Sequence, residues 1–238
     1  MSPLETETKL LVSPDDYRRI LEAGTVRECT DQLNIYLHDP ERVGERGETF
    51  RVRFETGRLP VATLKLPVGW KGGMRQMVEV ERPLAELGPG FHPRPRRWIA
   101  LDAHVPEGLM EHLRGVGITR LRRLGWMRNR RCVVELPPPG AADLPEPGGE
   151  PSLQRGTAAP PPGSTVEVDR YTLPGGEVLH EVEIEHPVEE VHRILVDRVR
   201  ELAPSAEVTR LGKFSRFLVA VGLESAELCM EMEGSEPR

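Results

Sequence analysis

Apolar and charged residues alternate through most of this chain, and that period of two predicts a protein built mainly of β-strands. Thr49 to Glu55 places Phe50, Val52 and Phe54 on one face and Arg51 and Arg53 on the other. Ala62 to Leu66 opposes Leu64 and Leu66 to Lys65, and Gln76 to Glu81 opposes Val78 and Val80 to Glu79 and Glu81. Leu33, Ile35 and Leu37 alternate with Asn34 and Tyr36 in a strand that ends at Asp39-Pro40. Gly125 to Leu136 is strand-like, with Asn129, Arg131 and Val133 on one face. In Thr165 to Thr172, Val166 and Val168 oppose Glu167 and Asp169, and in Leu179 to Glu185, Val182 and Ile184 oppose Glu181, Glu183 and Glu185. At the amino terminus, Leu4 to Val12 gathers Glu5, Glu7 and Lys9 on one face.

Helical spacing is rarer. Pro14 to Ala23 opens with Pro and two Asp and stops at Gly24. Glu107 to Arg114 reads as a helix stopped by Gly115. After Pro187, Val188, Val191, Ile194, Leu195, Val199 and Leu202 recur at helical intervals. Gly69 to Gly73 is a turn, and Pro83 to Pro106 is irregular. Pro137 to Gly163 is rich in Pro and Gly with almost no large apolar residue, which predicts a flexible insertion. Lys213 to Val221 closes the ordered part, so the expected organisation is one domain over 1–223 and an acidic tail over 224–238.

The charged faces are segregated by sign. Glu-x-Glu occurs at 5–7, 79–81 and 181–183, and Arg-x-Arg at 51–53. Like charges on one strand face repel unless something of opposite sign lies over them. Two arrangements satisfy this: an open sheet with a salt-bridged outer face, or a closed barrel whose lumen holds the ions. A lumen with both signs suits a metal ion bound together with a polyanion.

Composition narrows the field. At 238 residues, 38% hydrophobic and 29% charged, the chain suits a globular protein, and no apolar run or signal pattern suggests a membrane segment. Cys29, Cys132 and Cys229 lack CxxC spacing, which argues against a disulfide scaffold or a zinc site and suits a reducing cytoplasm. His180, His186 and His192 lack zincin spacing and suggest surface or capping roles, and Arg94-Pro-Arg-Arg97 reads as a solvated basic loop. A net charge of −6 argues against nucleic acid as a partner, so basic groups that bind an anion must be concentrated locally.

Glu5-Thr6-Glu7-Thr8-Lys9 resembles the ExExK signature of the CYTH superfamily, the triphosphate tunnel metalloenzymes. The likeness continues in order: Cys29 to Pro40, Arg51-Val-Arg53, Lys65 in ATLKLP, Glu79-Val-Glu81, LGWMRNRRCVVEL with Arg131, Asp169 followed by Glu181-Val-Glu183, and Lys213. The insertion at 137–163 is a departure, and the pattern leaves open which of Arg128, Arg130 and Arg131 faces inward.

The resemblance implies a closed, eight-stranded antiparallel β-barrel with flanking helices that binds triphosphate with Mg2+ or Mn2+. Glu5, Glu7, Asp169, Glu181 and Glu183 would then hold metal, and Lys9, Arg51, Arg53, Lys65, Arg131 and Lys213 would clamp phosphate oxygens. Glu5, Glu7, Lys9, Glu79 and Glu81 would form the catalytic set. The expected activity is hydrolysis of inorganic triphosphate to pyrophosphate and phosphate by a cytoplasmic monomer or homodimer, with no nucleic acid or membrane partner. The alternatives are a thiamine triphosphatase, a class IV adenylyl cyclase and a non-catalytic polyphosphate-binding module. The thiamine enzyme needs an aromatic shelf, for which Trp70, Trp98 and Trp126 are available, although Thr49 stands where those enzymes resemble Trp.

Overall fold

Strand β1 (Leu4–Leu11) is where the sheet closes on itself. Its first half, Leu4 to Glu7, pairs with β5 (Met74–Pro83), and its second half, Glu7 to Leu11, pairs with β9 (Val178–Glu185). Between them run β4 (Val61–Lys71), β3 (Thr49–Glu55), β2 (Thr25–His38), β7 (Arg120–Glu135) and β8 (Thr165–Thr172), each antiparallel to its neighbours. The result is a ring of eight strands, with β6 (Trp98–Ala100) added beside β7 and β10 (Glu207–Val208) beside β1. The computed structural model describes residues 4–39, 48–71, 74–84, 98–100, 111, 113–115, 117–137 and 164–224. The irregular stretch 85–97 with its basic loop, most of the insertion and the tail beyond Glu224 lie outside them.

The apolar faces point outward and are covered by helices. Leu10, Cys132, Val134, Val166, Val168, Val182 and Ile184 pack with Ile20 of α1 (Pro14–Ala23) and with Leu195, Val199 and Leu202 of α2 (Glu189–Leu202). On the opposite side Leu37, Phe50, Val52, Leu64 and Val80 pack with Leu113, Ile118 and Leu121. Each such side chain, fully buried, contributes about 1.5–3 kcal/mol. A third cluster joins Tyr36, Met127 and Tyr171, on inward-facing strand positions, to Phe214, Phe217 and Leu218 of α3 (Lys213–Ala220). Helix α3 therefore packs against the inner wall. Gly125 permits this approach, since a Cβ there would stand 2.6 Å from Phe217 Cζ.

Local signals behave largely as the sequence predicts. Ser13 Oγ caps α1 by accepting from Asp16 N at 3.1 Å, and Gly24 ends the helix. The helix expected to stop at Gly115 instead includes it. The stop is Gly117, at φ 72°, with Gly117 N bonded to Arg114 O and Ile118 N to Leu113 O, both at 2.8 Å. Those paired bonds satisfy the last carbonyls only if the glycine is left-handed.

One expectation is overturned. Cys29 and Cys132 are cross-strand partners on β2 and β7 and form a disulfide, with Cα atoms 4.1 Å apart. Their separation of 103 residues hides that juxtaposition from any spacing rule. A disulfide belongs to oxidising settings, so the cysteine argument for a reducing cytoplasm falls away. No helix among the described residues is long and apolar enough to cross a membrane.

Glu135 and Thr165 are directly opposed on β7 and β8, so the two ends of the 137–163 insertion meet. Replacing residues 138–163 with a short Gly-Ser hairpin linker is therefore expected to leave Tm within about 4 °C. A large drop in Tm would show that the segment packs on the barrel.

Candidate active site

Because the apolar faces point outward, the charged faces line a lumen. Its cavity, about 680 Å³, is lined by Lys9, Arg51, Arg53, Lys65, Arg131 and Lys213 among the bases and by Glu7, Glu79, Glu81, Glu167, Glu183 and Glu185 among the acids. Of the two arrangements the sign pattern permitted, the closed lumen is the one adopted. Arg131 is the inward arginine of its segment. Arg128 and Arg130 alternate with it and are exposed outside.

Glu183 on β9 is the hub. It accepts from Lys9 Nζ, from Arg131 Nη2 at 2.7 Å and from Lys213 Nζ at 3.1 Å. Lys9 also bonds Glu7 at 2.5 Å, and Lys213 also reaches Asp169 Oδ2 at 2.9 Å and Glu181. Arg131 grips Asp169 with two nitrogens, Nε at 3.0 Å and Nη2 at 2.7 Å, and pairs with Glu167 as well. On the facing wall Lys65 bonds Glu79 at 2.6 Å, Arg51 lies 3.8 Å from Glu79, and Thr63 donates to Glu81 at 3.0 Å.

Burial alone would push the Asp169 and Glu183 carboxyls up. The cations beside them, Arg131 and Lys213 for the first and Lys213, Lys9 and Arg131 for the second, overcome it and hold both low. Burial opposes the charge on Lys9, Lys65 and Lys213 too, and nearby carboxylates overcome it and hold all three above the usual lysine range. Glu81 and Glu167 go the other way. Burial raises both, helped at Glu81 by the neighbouring Glu79 and outweighing Arg131 at Glu167. A carboxyl raised in this way holds a proton more readily than an exposed one.

Among the described residues, two acidic groups each have oxygens close enough to share a cation, all within 4.8 Å: Glu7, Glu183 and Glu185, and Asp169, Glu181 and Glu183. Carboxylate oxygens are the donors that Mg2+ and Mn2+ prefer, so the chemistry fits. The settings differ. Glu7, Glu183 and Glu185 line the cavity. Asp169 and Glu181 are fully buried on the inward faces of β8 and β9, where Lys213 reaches both, Arg131 holds Asp169, and Arg216 Nη1 bonds Glu181 at 2.7 Å.

Of the residues singled out by sequence, Glu7, Lys9, Arg51, Arg53, Lys65, Glu79, Glu81, Arg131, Glu183 and Lys213 all converge on the cavity. Glu5 lies on β1 opposite Met77, two residues from Glu7 and on the same face by alternation. Glu167 and Glu185 share inward faces with assigned residues, so alternation alone could have found them. Tyr36 shares the β2 face opposite Leu33, Ile35 and Leu37, so alternation points to it too. Arg216 and Phe214 gave no such signal, because α3 reaches the wall only through tertiary packing. Trp126, a candidate for an aromatic shelf, is 48% exposed on the outer face, and the Trp70 and Trp98 side chains lie outside the described residues. The aromatic groups at the cavity are Tyr36 and Phe214, their rings 5.0 Å apart. His192, expected at a surface or cap, is buried with Nε2 2.8 Å from Thr8 Oγ1.

No protein-family model matches the chain, and no curated protein matches it by sequence. Solved structures do. A Hippeastrum protein, HpAC1, described as an adenylyl cyclase candidate with a dominant triphosphatase activity, superposes with a TM-score of 0.61 at 17% identity, over 90% of this chain and 95% of that one. A proposed adenylate cyclase from Bacillus halodurans gives 0.58 at 18% identity, over 90% and 96% of the two chains. A Pyrococcus horikoshii protein gives 0.52 at 17% identity, over 90% and 98%. The fold is that of the CYTH-type triphosphate tunnels. At these identities the likeness fixes the architecture and leaves the chemistry to the residues.

Proposed function

We propose that this chain hydrolyses inorganic triphosphate to pyrophosphate and phosphate with Mg2+ or Mn2+. The observation that carries the reading is one lumen faced from opposite walls by basic groups, Arg51, Arg53 and Lys65 on one and Lys9, Arg131 and Lys213 on the other, and by a cavity-lining carboxylate trio. The triphosphatase activity described for the Hippeastrum protein supports it. Arg51, Arg53 and Lys65 would hold phosphate oxygens from one wall, and Lys9, Arg131 and Lys213 from the other. Each of these cations now rests on a carboxylate, Arg53 on Glu55 and the others on Glu7, Glu79, Asp169, Glu181 or Glu183, so the anion exchanges one set of charge-assisted contacts for another.

Glu7, Glu183 and Glu185, with Glu5 beside them on β1, are the residues placed to hold the divalent cation. Asp169 and Glu181 would anchor Arg131, Lys213 and Arg216, and with Glu183 they make the second group of clustered carboxylates. When bound, the cation neutralises charge on the transferred phosphoryl group and lowers the pKa of a water it holds. The protein's own contribution is positioning, plus a proton acceptor on the wall, for which Glu81, oriented by Thr63, is suited.

A second reading has its own observation: Tyr36, Phe214 and Met77 make part of the lining apolar, a surface that the organic tail of thiamine triphosphate could use. Phosphate release measured from triphosphate, thiamine triphosphate and ATP, with and without chelator, separates the readings. Release from triphosphate that disappears in chelator is expected. Full turnover in chelator, or cyclic AMP as the product from ATP, overturns the assignment.

A further inference from the structure

Outside the tunnel, β7 carries a second concentration of positive charge. Six of the twelve residues from Arg120 to Arg131 are arginine. With Arg131 turned inward, Trp126, Arg128 and Arg130 fall on the outer face, and Arg170 of β8 lies directly opposite Arg130. Trp126 is 48% exposed, the Arg130 side chain is 54% exposed, and Arg128 and Arg170 are exposed as well.

Many other surface arginines are already charge-paired. Arg18, Arg19, Arg27, Arg58 and Arg193 each pair with a carboxylate. Arg128 and Arg170 have no carboxylate partner among the described residues, and Arg130 has only a long 3.9 Å approach to the exposed Asp31. The Arg128 guanidinium instead lies 5.7 Å from the centre of the Trp126 ring, which restrains both side chains before any partner arrives. Beyond Arg170, His180 stands opposite it on β9 and packs on Tyr17 at 4.7 Å. Next to His180 is a cavity of about 250 Å³ lined by Val12, Pro14, Val178 and Leu179, with Glu207 on its rim.

We propose that this outer face is a binding track for single-stranded nucleic acid, with phosphates on Arg128, Arg130 and Arg170 and a base stacked on Trp126. Alternate residues of a strand stand about 6.6 Å apart, close to the phosphate separation of an unstacked single strand. An exposed indole offers a sequence-tolerant stacking surface. The geometry is poor for other anionic partners. Residues 128–130, which carry Arg128 and Arg130, are paired on both sides, to β2 and β8, so no free edge exists there for an acidic peptide to join as a strand. One exposed ring among guanidinium groups offers a membrane too little apolar surface to insert. The overall charge of −6 argues against nucleic acid only on average, because sorting charges by face leaves this patch locally basic. The negative remainder makes binding weak and salt-sensitive.

The test is fluorescence anisotropy with labelled oligo(dT) and oligo(U) of about twelve nucleotides, with saturating tripolyphosphate present to fill the tunnel. Binding at low salt is expected, with log K falling against log salt at a slope of about −2, three phosphates at roughly 0.7 each. Arg128→Gln with Arg130→Gln and Arg170→Gln should weaken it at least about tenfold and flatten that slope. Trp126→Leu should weaken it by about tenfold with the slope unchanged. Triphosphate turnover should be the same in both variants, since none of these residues lines the tunnel. The proposal is overturned by no binding at low salt, by competition from tripolyphosphate, by a triple variant that binds like the parent, or by tighter capture of poly-Glu or anionic vesicles.

Discussion

Glu183→Gln is expected to lower kcat/KM for triphosphate at least about a thousandfold, the scale of losing several preorganised electrostatic contacts at once. Glu183 belongs to both acidic groups that could share a cation, and it is the anion on which Lys9, Lys213 and Arg131 converge. An amide keeps the shape and removes the charge. It would weaken cation binding and leave three cations repelling one another around a neutral group. Some stability should go with it, since breaking a buried ion pair from one side costs about 3–5 kcal/mol. The pH dependence has a definite sign. Cations hold the Glu183 carboxyl well below its ordinary range, so its contribution to stability is present above about pH 4 and is lost as the pH falls. The parent should therefore lose Tm on acidification more steeply than the variant. Steady-state kinetics and Tm across the acid range check both parts, and turnover within tenfold of the parent would refute the central role of Glu183.

Inorganic triphosphate should be preferred over ATP by at least about a hundredfold in kcat/KM, roughly 2.7 kcal/mol. The bases stand on two walls, Arg51, Arg53 and Lys65 on β3 and β4, and Lys9, Arg131 and Lys213 on β1, β7 and α3. A small anion charged at both ends can engage both sets, whereas an ester at one end removes terminal charge and puts a bulky group into the lumen. Tyr36, Phe214 and Met77 could receive an apolar or ring-bearing tail, but no described cavity-lining group beyond the charged set and Thr49 is arranged to read an adenine edge. Kinetics with each substrate at matched free metal decide the point. Equal efficiencies would mean that the wall near Tyr36 and Phe214 binds the organic moiety, and Phe214→Ala would then lower kcat/KM for ATP while leaving triphosphate unchanged.

The sequence by itself determined the alternation that makes the strands, because a period of two puts Arg51, Arg53, Glu79, Glu81 and Glu183 on faces opposite to Val52, Val80 and Val182 whatever the fold. It also determined that like charges on those faces needed partners of opposite sign. Helix starts and stops were legible wherever a local residue governs the local backbone, as at Pro14 and Gly24. What required the tertiary structure is everything set by distance across the ring. Closure of β1 on both β5 and β9 brings Glu7 beside Glu185. Docking of α3 against the inner wall carries Lys213 and Arg216 to Glu181. Strand register makes partners of Cys29 and Cys132, and it turns Arg131 inward while leaving Arg128 and Arg130 outside. Periodicity fixes which residues share a face. Which face becomes the interior, and which distant side chains meet there, depends on how sheet closure and helix packing remove the most apolar surface from water, a property of the whole chain.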